Sequence, residues 1–155
     1  RINDAFSLNF RLTFRLRSYE KGLRTGLRTD LKYVCGDWNT VARYEMLRFR
    51  GLSHLTYLEE GYVYRNGAVY MRGTLFFIDN WDDRIYAYER DAPGSFNVPA
   101  YYGRGYSLSV VARKKFLFRN MSMRLYWRTG FYAPVWGTAR RDCKLENRFQ
   151  LSLDF

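Results

Sequence analysis

The fold is decided by the stretch FSLNFRLTFRL at residues 6–16. Its even-numbered positions are all Phe or Leu, and its odd-numbered positions are all polar or basic. Side chains alternate between the two faces of a β-strand, so a strand here has one apolar face and one basic face. A helix would scatter the same residues around its circumference. The stretch is therefore predicted to be a β-strand.

The same alternation recurs along the chain, at residues 23–33, 106–113, 121–132 and 148–155. The middle is less regular. Residues 39–50 change phase near Met46 and Leu47, and the segments 54–64 and 68–78 are ambiguous, which we interpret as β-bulges. The whole pattern predicts about eight strands of roughly 10–14 residues, longer than the five or six usual in soluble sheets.

Turns are predicted at Gly36-Asp37, 65–67 and Arg119-Asn120, and longer connections at 79–104 and 135–145. In an up-and-down arrangement, the turns fall at one end of the strands and the long connections at the other. Outer-membrane barrels have this asymmetry, with short periplasmic turns and longer external loops. The short connections at 18–22 and 51–53 also fall at the long-loop end, so the agreement is incomplete.

The composition combines 47% hydrophobic and 19% aromatic residues with 26% charged residues, at a mean hydropathy of −0.45. Apolar and polar residues must therefore be interleaved. No apolar run approaches the ~20 residues that a membrane-spanning helix needs. We predict an all-β fold, an antiparallel up-and-down transmembrane β-barrel, in which residues 1–155 form a single barrel domain or the C-terminal part of a larger one.

A soluble sandwich shows the same alternation, with its apolar face turned into a core. Two features favour lipid contact instead. Arginine recurs on the polar faces, and aromatic residues lie near predicted strand ends, where the interfacial girdles of a barrel would be: Trp38, Trp81, Tyr101, Tyr102 and Trp136. The predicted location is the outer membrane of a Gram-negative bacterium, with its lipid as partner.

The predicted terminal strand, 146–155, ends in alternating apolar residues and a final aromatic: Phe149, Leu151, Leu153 and Phe155. This ending resembles the C-terminal assembly signal of outer-membrane barrels. The resemblance implies that the barrel-assembly machinery is a further partner.

The chain has 26 Lys and Arg against 15 Asp and Glu, a net charge of +11. The alternation predicts that ten basic residues line the interior: Arg11, Arg15, Arg17, Arg24, Arg28, Lys32, Arg113, Arg124, Arg128 and Arg148. Only Asp30, Glu45 and Asp154 are expected to face them. Side chains fill the interior of an eight-stranded barrel, whereas in a wider barrel these residues would favour anions such as phosphates. The filled interior is the favoured interpretation.

Residues suited to catalysis or metal binding are sparse. His54 is the only histidine, and Cys35 and Cys143 lack metal-ligand spacing, so they form either a disulfide or two free thiols. Adjacent acids such as Glu59-Glu60 and Asp82-Asp83 point to opposite faces of a strand and are poor candidates for a shared acid–base site. The sequence therefore predicts no enzyme, no metal, no cofactor and no obligate small-molecule ligand.

Three segments carry a family resemblance: DDRIYAYE at 82–89, SFNVP at 95–99 and YGRG at 102–105. They resemble the barrels of Bacteroidota helix-hairpin-helix domain-containing outer-membrane proteins, best over 68–116 and at the terminus. In that family, a module of a kind associated with DNA binding in competence proteins precedes the barrel. The resemblance implies an anchor or conduit linked to DNA handling through an upstream module, and it transfers no catalytic residues.

Two alternatives remain open at this point. One is a small soluble basic β-barrel that binds single-stranded nucleic acid by stacking bases on aromatic residues. The other is an anion-selective porin. The segment 79–104 either forms an external loop or folds back into the interior.

Overall fold

The computed structural model describes residues 5–16, 22–119, 121–136 and 143–154. It contains ten strands: β1 Ala5–Arg15, β2 Arg24–Cys35, β3 Trp38–Arg48, β4 Leu52–Tyr64, β5 Gly67–Ile78, β6 Ile85–Tyr86, β7 Ala100–Tyr101, β8 Gly103–Leu117, β9 Ser122–Trp136 and β10 Lys144–Asp154. The eight long strands form one antiparallel sheet in the order β1-β2-β3-β4-β5-β8-β9-β10, and β6 pairs with β7. The predicted all-β, up-and-down order is confirmed. Within the described residues, β1 and β10 are the edges of the sheet.

The tight connections lie where the sequence predicts them. Gly36-Asp37 joins β2 to β3, and residues 65–66 join β4 to β5. The third turn joins β8 to β9, although its Asn120 lies outside the described residues. These turns share one end of the sheet, the turn end, and the opposite end is called the loop end. Cys35 lies at the turn end and Cys143 at the loop end as free thiols, too far apart to form a disulfide with each other.

Residues 79–102, here called the strap, leave β5 and return to β8 across one face of the sheet. This face is the inner face, and the opposite one is the outer face. Ile85, Ala87 and Tyr101 of the strap are buried against Leu55 and Phe76 of the sheet in the larger apolar core cluster. The connection predicted at 79–104 therefore folds back over the sheet, and its last two residues belong to β8.

The bulges expected in the middle of the chain are wrong. Among the described residues, the ladders of β3, β4 and β5 run without interruption, and the one register shift lies between Arg104 and Tyr106. The alternation fades for a different reason. Leu55 and Phe76 point inward and pack beneath the strap, so parts of β4 and β5 are apolar on both faces while their geometry stays regular.

Cross-strand register aligns the side chains of each face into rows across the sheet. One outer row reads Leu8, Leu31, Ala42, Leu58, Gly73, Leu108, Phe131 and Leu145. The next inner row reads Asn9, Asp30, Arg43, Tyr57, Thr74, Ser107, Tyr132 and Lys144. A whole outer row is thus free of polar side chains, while its inner neighbour is mostly polar or charged.

The apolar outer side chains are exposed. Phe10 is 69% exposed and Phe149 is 78% exposed, and Trp127 stacks on Phe149 with ring centroids 6.2 Å apart. Monomeric soluble proteins rarely expose contiguous apolar patches larger than a few hundred Å². The predicted girdle is wrong for Tyr101, which is buried in the strap core at 1% exposure. Among the described residues, the structure has no helix with the length and apolar character needed to cross a membrane.

Candidate functional site: the charged inner face

The strap brings acidic side chains onto the basic inner face. Glu89 accepts hydrogen bonds from Arg128 of β9 and from the Tyr101 hydroxyl, and the three side chains are buried. Burial and the adjacent carboxylate raise the pKa of Tyr101, so its phenol stays protonated and can donate. A buried ion pair is stable only while both partners are present, because either charge alone would be left desolvated. This pair therefore fixes the middle of the strap to β9.

A second network joins the strap to β4 and β5. Glu59 accepts from Arg72, with 2.5 Å between Oε2 and Nη2, and from Arg90, with 2.8 Å between Oε1 and Nε. Arg72 also donates through Nη1 to the carbonyl oxygen of Tyr88, at 2.5 Å. Its guanidinium lies 4.2 Å from the ring centroid of Tyr57. One sheet arginine thus contacts both its cross-strand acid and the strap backbone.

Two further contacts hold the strap, one near its start and one directly after Arg90. The buried carboxylate of Asp83 accepts from the backbone N–H groups of Arg50 and Gly51, at 3.0 and 2.7 Å. Asp91 accepts from Arg148 of β10, at 2.5 Å. These contacts join the strap to the β3–β4 connection and to β10, so the strap is held across most of the width of the inner face.

An exposed pair lies where the strap leaves β5. Asp79 and Arg104 are joined by two hydrogen bonds, at 2.6 and 2.7 Å. The Arg104 guanidinium lowers the pKa of Asp79 below its ordinary value. Both side chains are about half exposed, and exposed pairs of this kind contribute little to stability.

The structure places the described members of the predicted basic set on the inner face, and Arg17 lies outside the described residues. They differ in their partners. Four of them form ion pairs with carboxylates: Arg28, Arg124, Arg128 and Arg148. Arg113 lies 6.0 Å from the Tyr70 ring, and Lys32 is exposed. Arg11 and Arg15 have no carboxylate within 4.0 Å among the described residues.

The acids named from sequence are an incomplete set. Asp30 pairs with Arg28 and Arg43, as the alternation predicts. The prediction missed Glu59, Glu89, Asp91 and Glu146, all of which contact inner-face arginines. Glu59 can be assigned to the inner face once the register of β4 is known, because side chains alternate along a strand. No local sequence pattern predicts which residues the acids of the strap contact.

The predicted opposition of adjacent acids is confirmed for one pair. Glu59 is buried on the inner face, whereas Glu60 points to the outer face and accepts from Thr40 at 2.8 Å. His54, also on the outer face, hydrogen-bonds to Tyr44 at 2.8 Å. In the part of the chain that the structure describes, no group of His, Cys, Asp and Glu side chains could hold a metal ion.

Two cavities on the charged side have more cationic side chains than carboxylates in their lining. The cavity between β1, β2 and the strap holds about 250 Å³ and is lined by five arginines: Arg11, Arg15, Arg24, Arg28 and Arg84. The cavity at the turn end holds about 590 Å³ and includes Arg65, Arg113, Lys115 and Arg124 in its lining. The strap therefore neutralises the centre of the inner face more fully than its margins.

Three residues of the predicted assembly signal lie on the outer face of β10. Phe149, Leu151 and Leu153 are exposed there, and Phe155 lies outside the described residues. Their apolar side chains continue the outer surface to the edge of the sheet. A role in assembly stays a prediction.

The chain is an all-β protein with an eight-stranded antiparallel sheet, an outer face rich in exposed apolar side chains and a charged inner face covered by a strap. Comparison with protein-family models, with curated proteins and with solved structures found no match. The resemblance to helix-hairpin-helix outer-membrane proteins therefore stays a prediction.

Proposed function

We propose that this chain forms the wall of a transmembrane β-barrel in the outer membrane of a Gram-negative bacterium and acts there as an anchor with a filled interior. The observation that carries the proposal is the uninterrupted apolar row on the exposed outer face, from Leu8 on β1 to Leu145 on β10. Lipid-facing residues of such barrels are apolar, and those facing the interior are polar.

A soluble sheet with one apolar and one charged face would bury the apolar face. Its apolar side would form the core, and its arginines would face water. Here Phe10 and Leu125 are exposed, while Arg72 and Arg128 are buried under the strap. This inversion favours the membrane over the soluble nucleic-acid-binding alternative.

The proposal requires closure of the barrel wall. Hydrocarbon cannot hydrogen-bond to unpaired backbone groups, so open strand edges are excluded from it. In the membrane, β1 and β10 must therefore pair with each other or with further strands. Either arrangement leaves the outer face in contact with lipid.

An anchor is favoured over a conduit because the strap occupies the inner face and is bound to it by the buried Glu89–Arg128 ion pair and by the hydrogen bond from Arg72 to the Tyr88 carbonyl. A barrel with an anion-selective channel would need this segment to move aside. DNA binding is a separate prediction, because it depends on a module preceding residue 1. The lipid bilayer and the barrel-assembly machinery are the partners this proposal implies.

The test is to refold the full chain in detergent or lipid and to compare it with the same chain in buffer alone. We expect a folded, β-rich species only with detergent or lipid, one that migrates differently on a denaturing gel before and after boiling. A chain with conserved charge but scrambled order over residues 6–16 is the matched control and should not fold. A monodisperse, folded chain in plain buffer would contradict the proposal.

A further inference from the structure

The arginine-lined cavity between β1, β2 and the strap contains unfavourable charge pairs. In the β1–β2 register, Arg11 lies directly opposite Arg28, and Arg15 lies directly opposite Arg24. Directly opposed side chains on one face have Cβ atoms about 4.5–5.5 Å apart, and like charges there are destabilising. Two of three successive inward-facing positions of β1 therefore face arginines across the ladder, with Thr13 opposite Gly26 between them.

The surrounding carboxylates leave most of this charge unanswered. Among the described residues, Glu45 is the one acid lining the cavity. Asp30 is shared between Arg28 and Arg43, at 2.8 and 2.5 Å. Arg24 donates to the carbonyl oxygen of Asp82, which carries no net charge. An anion within the cavity would relieve the repulsion that the protein's own acids leave in place.

Two buried polar atoms indicate what else the ligand should carry. Nε of Arg24 and Oε2 of Glu45 are inaccessible to solvent and have no hydrogen-bond partner among the described residues. Buried polar groups are nearly always satisfied, so each of these requires an explanation. Neither atom is open to the cavity, so a ligand would contact other polar atoms of the same two side chains, with an acceptor toward Arg24 and a donor toward Glu45.

We propose that this cavity binds a soluble phosphate ester that also carries hydroxyl groups, of the sugar phosphate class. Guanidinium groups match phosphate oxygens through paired, charge-assisted hydrogen bonds. A hydroxyl of the same ligand donates to Glu45. The volume of about 250 Å³ suits a ligand smaller than drug-sized ones, whose pockets measure roughly 300–1,000 Å³. The ring of Tyr86 on the strap completes the lining.

This inference goes beyond the proposed function and does not require the membrane. The ligand is soluble because the cavity opens on the inner face, away from the apolar surface that lipid would contact. If the chain proves to fold in plain buffer, the same titration is run there. Failure of the membrane proposal can then be told apart from failure of the binding proposal.

The test is calorimetric titration of the folded chain with glucose 6-phosphate at low ionic strength. Wild type should bind saturably, and Arg11→Gln and Arg15→Gln should each weaken binding by about tenfold, as expected for the loss of a charged hydrogen bond. Without ligand, the midpoint of thermal unfolding should stay the same or rise in both variants, because each removes a repulsion. Arg15→Lys should recover only part of the affinity, since lysine lacks the planar fork.

The control variant is Arg48→Gln, which removes an exposed arginine from the outer face of the neighbouring strand β3. It should bind as wild type does, and glucose without the phosphate should not bind. Four outcomes would each overturn the assignment: no saturable binding, equal weakening in Arg48→Gln, equal binding of glucose, or binding of phosphatidic acid in mixed micelles with none of glucose 6-phosphate.

Discussion

Arginine in place of Leu108 is expected to destabilise the folded chain in lipid by about 2–4 kcal/mol, the cost of a cation on the lipid face near the bilayer midplane. Leu108 is 50% exposed and lies in the apolar outer row, opposite Gly73 on one side and Phe131 on the other. The guanidinium would have to leave water for hydrocarbon. The measurement is urea-induced unfolding in liposomes, followed by tryptophan fluorescence.

Leu52→Arg is the matched control for this variant. Leu52 is 52% exposed and also faces outward, but it is the first residue of β4, at the loop end of the sheet. A cation at the membrane interface costs about 0–1 kcal/mol. If the outer surface faced water, Leu108→Arg and Leu52→Arg would have equal effects, and the free energy of unfolding of both would stay within ~0.5 kcal/mol of wild type.

Removing the Arg128 side chain is expected to destabilise the protein by about 3–5 kcal/mol, because Glu89 would remain buried without its cation. Both side chains are less than a tenth exposed, and Glu89 also accepts from Tyr101. In the Arg128→Ala variant, the strap should detach from β9. Trypsin should then cleave the folded variant at Arg84 and Arg90, which the wild-type strap protects.

The exposed pair between Asp79 and Arg104 provides the control. Arg104→Ala removes an ion pair with two hydrogen bonds whose partners are about half exposed, and it should cost about 1 kcal/mol or less. The double variant Glu89→Leu/Arg128→Met should recover most of the stability, since it leaves no desolvated charge. An effect of Arg128→Ala no larger than that of Arg104→Ala would show that the buried pair does not hold the strap.

Strand positions and the two faces could be predicted from sequence because they depend on a local period of two. Phe10 and Arg11 are assigned to opposite faces by parity alone, and the structure agrees. The antiparallel order follows from the short turns, such as Gly36-Asp37. These features need no knowledge of distant contacts.

The inner-face networks could not be predicted, because they depend on where the strap lies. Glu89 and Arg128 are 39 positions apart, and only the return of the strap across β9 brings them together. The strap also explains the wrong expectation of bulges, since the apolar residues beneath it imitate a change of phase. The alternation therefore predicted the antiparallel sheet and its two faces correctly but not the contacts that the strap makes on the inner face.

The central claim is that the outer face contacts hydrocarbon, and Trp127 offers the most direct test. Its ring lies on that face beside Phe149, midway along β10. The experiment uses a variant in which Trp38, Trp81 and Trp136 are replaced by phenylalanine, folded into liposomes. Lipids brominated in the middle of their acyl chains should quench Trp127 strongly, and acrylamide in the water should quench it weakly. Strong quenching by acrylamide with none by the brominated lipids would contradict the account.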